Sequence, residues 1–228
     1  MRLASVNHLA ALGAVVGVLA CGGDSGGGTG PCTPGPATQL TKSGDQQNWY
    51  FNNQLPKPLT VTALDVSQCP VPGVVVNWAV TTGGGSVNPS QSSTNASGMA
   101  ATTHTLGPPG NTTQIVTATP TAAGLSAVSF TEFARAPATT GAVDLVNTSF
   151  SPKDTVVQVN GTVTWTWKDQ PTPHNVTFQS GPAPLPAASA TQSTNGSTFA
   201  VTFTKVGTYT YECTVHPVQM TGSVTVVN

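Results

Sequence analysis

After residue 20, no stretch of the chain repeats its apolar residues at helical spacing for long enough to form a convincing helix. The apolar residues instead occur in short runs that alternate with polar ones, and Gly, Pro and Asn separate these runs. Such alternation predicts strands that are buried on one face. The chain is also rich in Thr, which favours strands. The sequence therefore predicts an all-β fold.

Charged residues are scarce, with 7 Lys+Arg and 8 Asp+Glu in 228 residues and a net charge of −1. Nucleic-acid binding depends on clustered Lys and Arg, and electrostatic attachment to an anionic membrane surface depends on them too. We therefore expect neither nucleic-acid binding nor electrostatic attachment to a membrane surface. The length allows one large domain or two small ones.

The N-terminal segment is typical of an export signal. Residues 1–20 contain an apolar run from Leu9 to Leu19, which is of signal-peptide length and short for a membrane span. The run ends in Val18-Leu19-Ala20-Cys21, which resembles a bacterial lipobox and implies that Cys21 is lipidated. Gly, Ser and Pro then predominate, so residues 21–38 are predicted to be a flexible tether. We expect a lipoprotein of the bacterial cell envelope; an ordinary signal peptide with an incidental Cys is the alternative.

The other three cysteines divide into a pair and a single residue. Cys32 and Cys69 lie in Pro-rich loops, where an oxidising compartment favours a disulfide between them. Cys213 is left over, at the end of an alternating strand and close to a His and a Met. An odd Cys in an exported protein indicates a special role.

Residues 39–134 are predicted to form a first β-sandwich, because short strands alternate there with turn signals. Trp78 is expected in its core. His104, which has Thr on both sides, is expected on its surface without a chemical role. Asp65 and Glu132 are the only acids between residues 46 and 143, so no catalytic pair is expected.

The order of motifs in this region resembles bacterial immunoglobulin-like domains of the invasin and intimin type. The motifs are Leu55-Pro56-Lys57-Pro58-Leu59, Pro72-Gly73-Val74-Val75-Val76-Asn77-Trp78, Gly83-Gly84-Gly85, Thr94-Asn95-Ala96-Ser97-Gly98 and Val116-Thr117-Ala118. The resemblance implies a spacer or an adhesive unit.

Residues 135–141 have the composition of a linker, and residues 142–228 are predicted to form a second β module. Asn160-Gly161 is a strong signal for a hairpin turn within it. Ser180–Gly196 contains several Pro and Gly residues and is predicted to be an irregular insertion on the surface.

Three side chains of this module that suit copper lie within eight residues of one another: Cys213, His216 and Met220. A second imidazole, His174, lies upstream at the start of another predicted strand. Two His, one Cys and a weak axial Met are the ligands of a blue-copper electron-transfer site. Because this mixed set suits both Cu(II) and Cu(I), an electron moves with little reorganisation. Zinc is a poorer candidate, because a thioether is not among its usual ligands.

The second module resembles the plastocyanin/azurin family of cupredoxins across almost all of residues 142–228. The matching motifs, in the family's order, are Phe150-Ser151-Pro152, Val156–Trp165, Pro173-His174-Asn175-Val176 and the Tyr-x-Tyr-x-Cys-x-x-His segment that ends at His216. The resemblance implies a Greek-key β-sandwich with one type 1 copper at one end. It also implies that Asn175 braces the Cys loop, with Thr214 as its partner.

By the same resemblance, His174, Cys213 and His216 would be three of the copper ligands. Family loops usually have two or four residues between the second His and the Met, whereas three intervene here. Met220 is the expected axial ligand, and Gln219 is the alternative, since Gln also serves axially.

These features predict an electron carrier, not an enzyme. A multicopper oxidase or a copper nitrite reductase needs further His ligands for a second copper centre, and this module has none to spare. We expect a monomer that exchanges single electrons with an exported donor and an exported acceptor protein. Two alternatives remain: a copper storage or delivery protein, and a surface adhesion module with incidental metal binding.

Overall fold

The structure is a computed structural model that describes residues 32–228. The predicted signal peptide, the lipidation of Cys21 and the first part of the predicted tether lie outside the described residues. The part of the chain that is described contains strands and no helix, which confirms the all-β prediction. None of its elements is a helix of the length and apolarity needed to cross a membrane.

Nine strands form a first sandwich of two sheets. They are β1 (Gln39–Ser43), β2 (Asn48–Tyr50), β3 (Leu59–Leu64), β4 (Val75–Thr82), β5 (Gly85–Asn88), β6 (Gln91–Ser93), β7 (Met99–Leu106), β8 (Thr113–Pro120) and β9 (Val128–Arg135). One sheet has the order β1-β3-β7-β5 and the other the order β2-β9-β8-β4-β6. Alternate residues of these strands point between the sheets, and Trp78 packs there against Phe130, as predicted, with ring centroids 5.9 Å apart.

The prediction that His104 is a surface residue is wrong, because its side chain is fully buried. On β7 the residues Ala100, Thr102, His104 and Leu106 alternate inward, so that the two Thr residues beside His104 lie on the outer face. Thr is compatible with either face of a strand. The flanking residues therefore did not reveal which face of β7 is buried.

The N-terminal end of the described chain is attached to the first sandwich. A disulfide joins Cys32 to Cys69, with 5.7 Å between the Cα atoms. The backbone N–H of Gly35 donates to Asp65 Oδ2 at 2.8 Å, and the N–H of Thr38 donates to the carbonyl of Leu64 at 2.8 Å. Residues 32–38, the last part of the predicted tether, are therefore held by specific bonds.

Eight strands form a second sandwich. They are β10 (Thr140–Val146), β11 (Ser149–Ser151), β12 (Asp154–Gln158), β13 (Gly161–Trp167), β14 (Thr177–Ser180), β15 (Thr198–Phe203), β16 (Gly207–Glu212) and β17 (Thr221–Val227). The sheet orders are β11-β10-β13-β15 and β12-β17-β16-β14. Only four residues separate β9 from β10, so both ends of the predicted linker 135–141 belong to strands.

The core of the second sandwich is aromatic. The Trp165 ring meets the rings of Phe178 and Tyr211 edge to face, with centroids 5.9 and 5.3 Å apart. Edge-to-face contacts of this kind add to the stabilisation that burial of the rings provides. Burial also raises the pKa of Tyr211 to about 12. The Tyr211 phenol therefore stays protonated well above neutral pH.

Candidate metal centre

Three candidate ligand atoms meet at one end of the second sandwich. Cys213 Sγ lies 3.9 Å from His174 Nδ1 and 3.7 Å from His216 Nδ1, and the group fits within 4.8 Å. His174 and Cys213 are fully buried, whereas His216 is half-buried. The structure thus brings His174 to a thiol and a second imidazole that lie 39 or more residues further along the sequence.

Pairing between strands explains why these atoms meet. β16 ends one residue before Cys213, and β17 begins directly after Met220, so the hairpin between these strands presents the segment Cys213–Met220, here called the ligand loop. β14 pairs with β16 so that Thr177 lies opposite Glu212. This register places His174 and Asn175, which precede β14, beside Cys213.

Backbone hydrogen bonds close the ligand loop. The N–H of Cys213 donates to the carbonyl of Met220 at 2.9 Å, and the N–H of Met220 donates to the carbonyl of His216 at 3.1 Å. The N–H of His216 donates to the carbonyl of Cys213 at 3.0 Å. The positions of Cys213 and His216 are therefore fixed by the main chain.

Asn175 ties the ligand loop to the segment before β14 that carries His174. Its Oδ1 accepts the backbone N–H of Thr214 at 2.9 Å, and its Nδ2 donates to Thr214 Oγ1 at 2.7 Å. Its own backbone N–H points to Cys213 Sγ at 3.4 Å. Such bonds around a ligand orient it and affect its affinity for a metal.

Comparison with known proteins places this site in a family. Residues 139–227 match the family of copper binding proteins described as plastocyanin/azurin. Amicyanin-alpha of Methylorubrum extorquens is 33% identical over 95 residues, which cover 42% of this chain and 79% of that protein. Amicyanin of Paracoccus denitrificans is 36% identical over 87 residues, which cover 37% of this chain and 66% of that protein. The chain belongs to the plastocyanin/azurin family of copper binding proteins.

Solved structures from this family are also similar to the chain. A purple cupredoxin from Nitrosopumilus maritimus is 28% identical and aligns with 38% of this chain and 98% of its own, with a TM-score of 0.33. A reduced amicyanin mutant is 32% identical and aligns with 38% of this chain and 81% of its own, with a TM-score of 0.33. The family assignment confirms the predictions of a cupredoxin fold and of copper as the cofactor.

The geometry of the candidate ligands fits copper. Metal bonds of about 2.0–2.3 Å to N and S ligands, roughly 120° apart in a trigonal site, separate the ligand atoms by about 3.7 Å. The two S···N distances of 3.9 and 3.7 Å are close to this value. Copper can therefore be held without a large rearrangement of these three side chains.

Burial distinguishes the two candidates for the axial position. Met220 is fully buried and belongs to the same apolar cluster as Cys213, whereas Gln219 is exposed. The three residues between His216 and Met220 are accommodated by a left-handed backbone at Val218, with φ of +75°. A β-branched residue rarely adopts this conformation. The arrangement favours Met220 as the axial ligand.

The sequence did not predict that a second segment supports His174 and Asn175. Within the predicted surface insertion Ser180–Gly196, the residues Ser189–Gln192, here called the bracing segment, run beside His174. The N–H groups of His174 and Gln192 donate to each other's carbonyls at 2.9 and 3.0 Å. Asn175 Nδ2 donates to Thr191 Oγ1 at 2.9 Å. Because most of these bonds are made by the backbone, the sequence carried little signal for them.

A second residue that the sequence did not single out is Asp169. Its carboxylate lies 3.1 Å from His174 Nε2, on the side of the ring away from Cys213. The only signal in the sequence is an acid five residues before a predicted ligand.

Proposed function

We propose that this protein is a type 1 blue copper protein that carries single electrons between exported redox proteins, and that it is not an enzyme. The proposal takes His174, Cys213, His216 and Met220 as the ligands. The observation that carries it is the meeting of Cys213 Sγ with two imidazole Nδ1 atoms at copper-type distances. Copper bound there supplies a one-electron couple between Cu(II) and Cu(I).

Rigidity of the ligands supports a role in electron transfer. His174 and Cys213 are fully buried, and the hydrogen bonds of the ligand loop and Asn175 fix their positions. Side chains that are held in this way cannot move far when the charge of the metal changes. A small rearrangement is what rapid electron transfer requires.

The exposed residues around His216 are consistent with electrons entering and leaving the copper at this surface. His216 is half-buried and so reaches the surface, where Pro217 beside it is exposed. Val215 is 40% exposed and Val218 is 89% exposed. Exposed apolar residues that cluster in this way are typical of a site of protein contact. We propose that the electron donor and acceptor dock here in turn.

Copper storage or delivery is less well supported. A delivery site must release its ion to another protein, yet two of the three clustered ligands here are fully buried. Within residues 32–228 this is the one group of three His, Cys, Asp or Glu residues close enough to hold a metal. An adhesion module with incidental binding would not require the bonds that fix these ligands in place.

The first sandwich is proposed to be an immunoglobulin-like spacer that holds the copper module away from a membrane. The anchor in this proposal is a lipid on Cys21, and the location is the bacterial cell envelope. The disulfide between Cys32 and Cys69 supports export, because such bonds persist in oxidising compartments. Cys21→Ser should therefore release the protein from membranes. Fractionation of cells that express the full chain measures this release.

Voltammetry of the copper-loaded protein tests the proposed carrier function. An electron carrier should give a reversible one-electron wave and retain one copper per chain through repeated cycles. A storage or delivery protein should lose copper when the ion is reduced, and its wave should decay. Cys213→Ala is the control and should show no such wave. An irreversible wave with copper release from the wild type would contradict the proposal.

A further inference from the structure

Asp169 and His174 form a close pair at the copper site. The Nε2 atom of His174 lies 3.1 Å from Oδ1 and 3.3 Å from Oδ2 of Asp169. The His174 side chain is fully buried, and the Asp169 side chain is 18% exposed. The imidazole thus has a carboxylate on one side and the Cys213 sulfur on the other.

This contact determines which ring nitrogen of His174 carries the proton. An ionised carboxylate only accepts hydrogen bonds, so the proton of a neutral imidazole must lie on Nε2. Nδ1 then keeps its lone pair and faces Cys213 Sγ, where a metal ligand needs an unprotonated nitrogen. Without such an acceptor, the proton can occupy either nitrogen.

Asp169 is itself held by a neighbouring hairpin. The backbone N–H of Asn147, in the turn between β10 and β11, donates to Asp169 Oδ2 at 2.9 Å. The N–H of Lys168 donates to the carbonyl of Leu145 at 3.0 Å, which fixes the start of the loop that carries Asp169. Trp167, directly before Lys168, donates from Nε1 to the carbonyl of His174 at 3.1 Å and so fixes the other end of that loop. The carboxylate therefore has a defined position relative to the imidazole.

We propose that Asp169 is a positioning residue of the copper centre. It fixes the His174 tautomer that presents Nδ1 to the metal, and its negative charge favours Cu(II) over Cu(I) and so lowers the reduction potential. The inference rests on the proposed function in taking His174 as a ligand. The effect of the charge follows from Coulomb attraction, which is stronger for the ion of higher charge and is little screened beside a buried ligand.

Two substitutions separate the hydrogen bond from the charge. Asp169→Asn removes the charge but keeps an oxygen that can accept the proton on Nε2, whereas Asp169→Ala removes both. Asp144→Asn is the matched control, because Asp144 forms an exposed ion pair with Lys168 and has no hydrogen bond with any ligand. It makes the same change in net charge as Asp169→Asn.

Two measurements then test the two parts of the proposal. Long-range ¹⁵N–¹H NMR spectra of the copper-free protein at alkaline pH report which nitrogen of His174 carries the proton. We expect the proton on Nε2 in the wild type and in Asp169→Asn, and a mixture of tautomers in Asp169→Ala. Voltammetry of the copper-loaded proteins should show that Asp169→Asn favours Cu(I) at least tenfold more than Asp144→Asn does, which is about 59 mV for a one-electron couple.

The proposal is overturned if Asp169→Ala keeps the wild-type tautomer, or if Asp169→Asn changes the potential no more than Asp144→Asn does. These outcomes leave the ligand set intact, because both variants would still bind copper with a thiolate absorption band. If the wild type itself lacks that band, the proposed function fails. The tautomer measurement then still tests how Asp169 acts on His174, because it needs no copper.

Discussion

Glu132→Gln should stabilise the first sandwich at neutral and alkaline pH. The Glu132 side chain is fully buried, and burial raises the pKa of its carboxyl from an ordinary value of 4.5 to about 7. The backbone N–H of Gln47 donates to Oε2 at 2.8 Å, whereas Oε1 has no hydrogen-bond partner within residues 32–228. One bond does not compensate for the loss of water around a charged carboxylate.

The sign of the effect follows from the raised pKa. Below pH 4.5 the carboxyl is protonated in both the folded and the unfolded chain, so folding carries no penalty from its charge. As the pH rises from 4.5 to about 7, the unfolded chain releases the proton while the folded chain keeps it, and the free energy of unfolding falls. One pH unit corresponds to about 1.4 kcal/mol, so the full loss above pH 7 is at most about 3.5 kcal/mol.

Urea unfolding of the copper-free protein at pH 4 and pH 8 measures this effect, and hydrogen exchange of β9 amides assigns the transition to the first sandwich. Glu132→Gln should match the wild type within about 1 kcal/mol at pH 4 and should exceed it by up to about 3.5 kcal/mol at pH 8. Glu212→Gln, which alters a half-buried carboxylate of the second sandwich, should show no such difference. An equal effect of Glu132→Gln at both pH values would refute the argument.

Three further predictions concern the ligand loop, the exposed residue Val218 and the buried imidazole of His104. Asn175→Ala removes two hydrogen bonds to Thr214, so the free energy of unfolding of the second sandwich should fall by about 2 kcal/mol in a urea titration. An unchanged free energy of unfolding would show that the ligand loop is held without Asn175. Val218→Asp should slow electron exchange with the partner in stopped-flow experiments without removing copper, whereas Val66→Asp, at another exposed position, should not slow it. If the exchange rate of the wild type falls steeply with salt, docking is instead steered by charge. Burial lowers the pKa of His104, so the first sandwich should lose stability as the pH falls below about 6.5. His104→Leu should remove that part of the pH dependence, measured by thermal unfolding. If the variant loses as much stability in acid as the wild type does, His104 is not the cause.

The sequence predicted the features that depend on local patterns. Alternating residues gave the strands, as at Trp78, which lies in the core of the first sandwich. The ligand loop could be predicted because Cys213, His216 and Met220 are close in the sequence, and two imidazoles, a thiolate and an axial thioether are the ligand set of a blue-copper site. His174 could be added because it precedes a predicted strand at the position that the family resemblance implies.

Features that depend on packing could not be predicted. Alternation shows that a strand has two faces, but around His104 neither face is clearly apolar. The sequence therefore does not show that the face with His104 is the buried one. The bracing segment is joined to His174 mainly through main-chain bonds, which any sequence can make. The contact of Asp169 with His174 depends on the path of a loop that the hairpin at Asn147 fixes from a distance in the sequence. Burial, which only the fold reveals, favours Met220 over Gln219 as the axial ligand.

In the proposed copper centre, Cys213 binds the metal as a thiolate together with His174 and His216. Titration of the copper-free protein with Cu(II), followed by visible absorption, tests this set of ligands. We expect an intense blue or green thiolate-to-copper band that saturates at one copper per chain. The band should be absent in Cys213→Ala and preserved in Val215→Ala, which alters a partly exposed residue of the same loop. A colourless wild-type protein, or a band that survives in Cys213→Ala, would show that Cys213 is not a copper ligand.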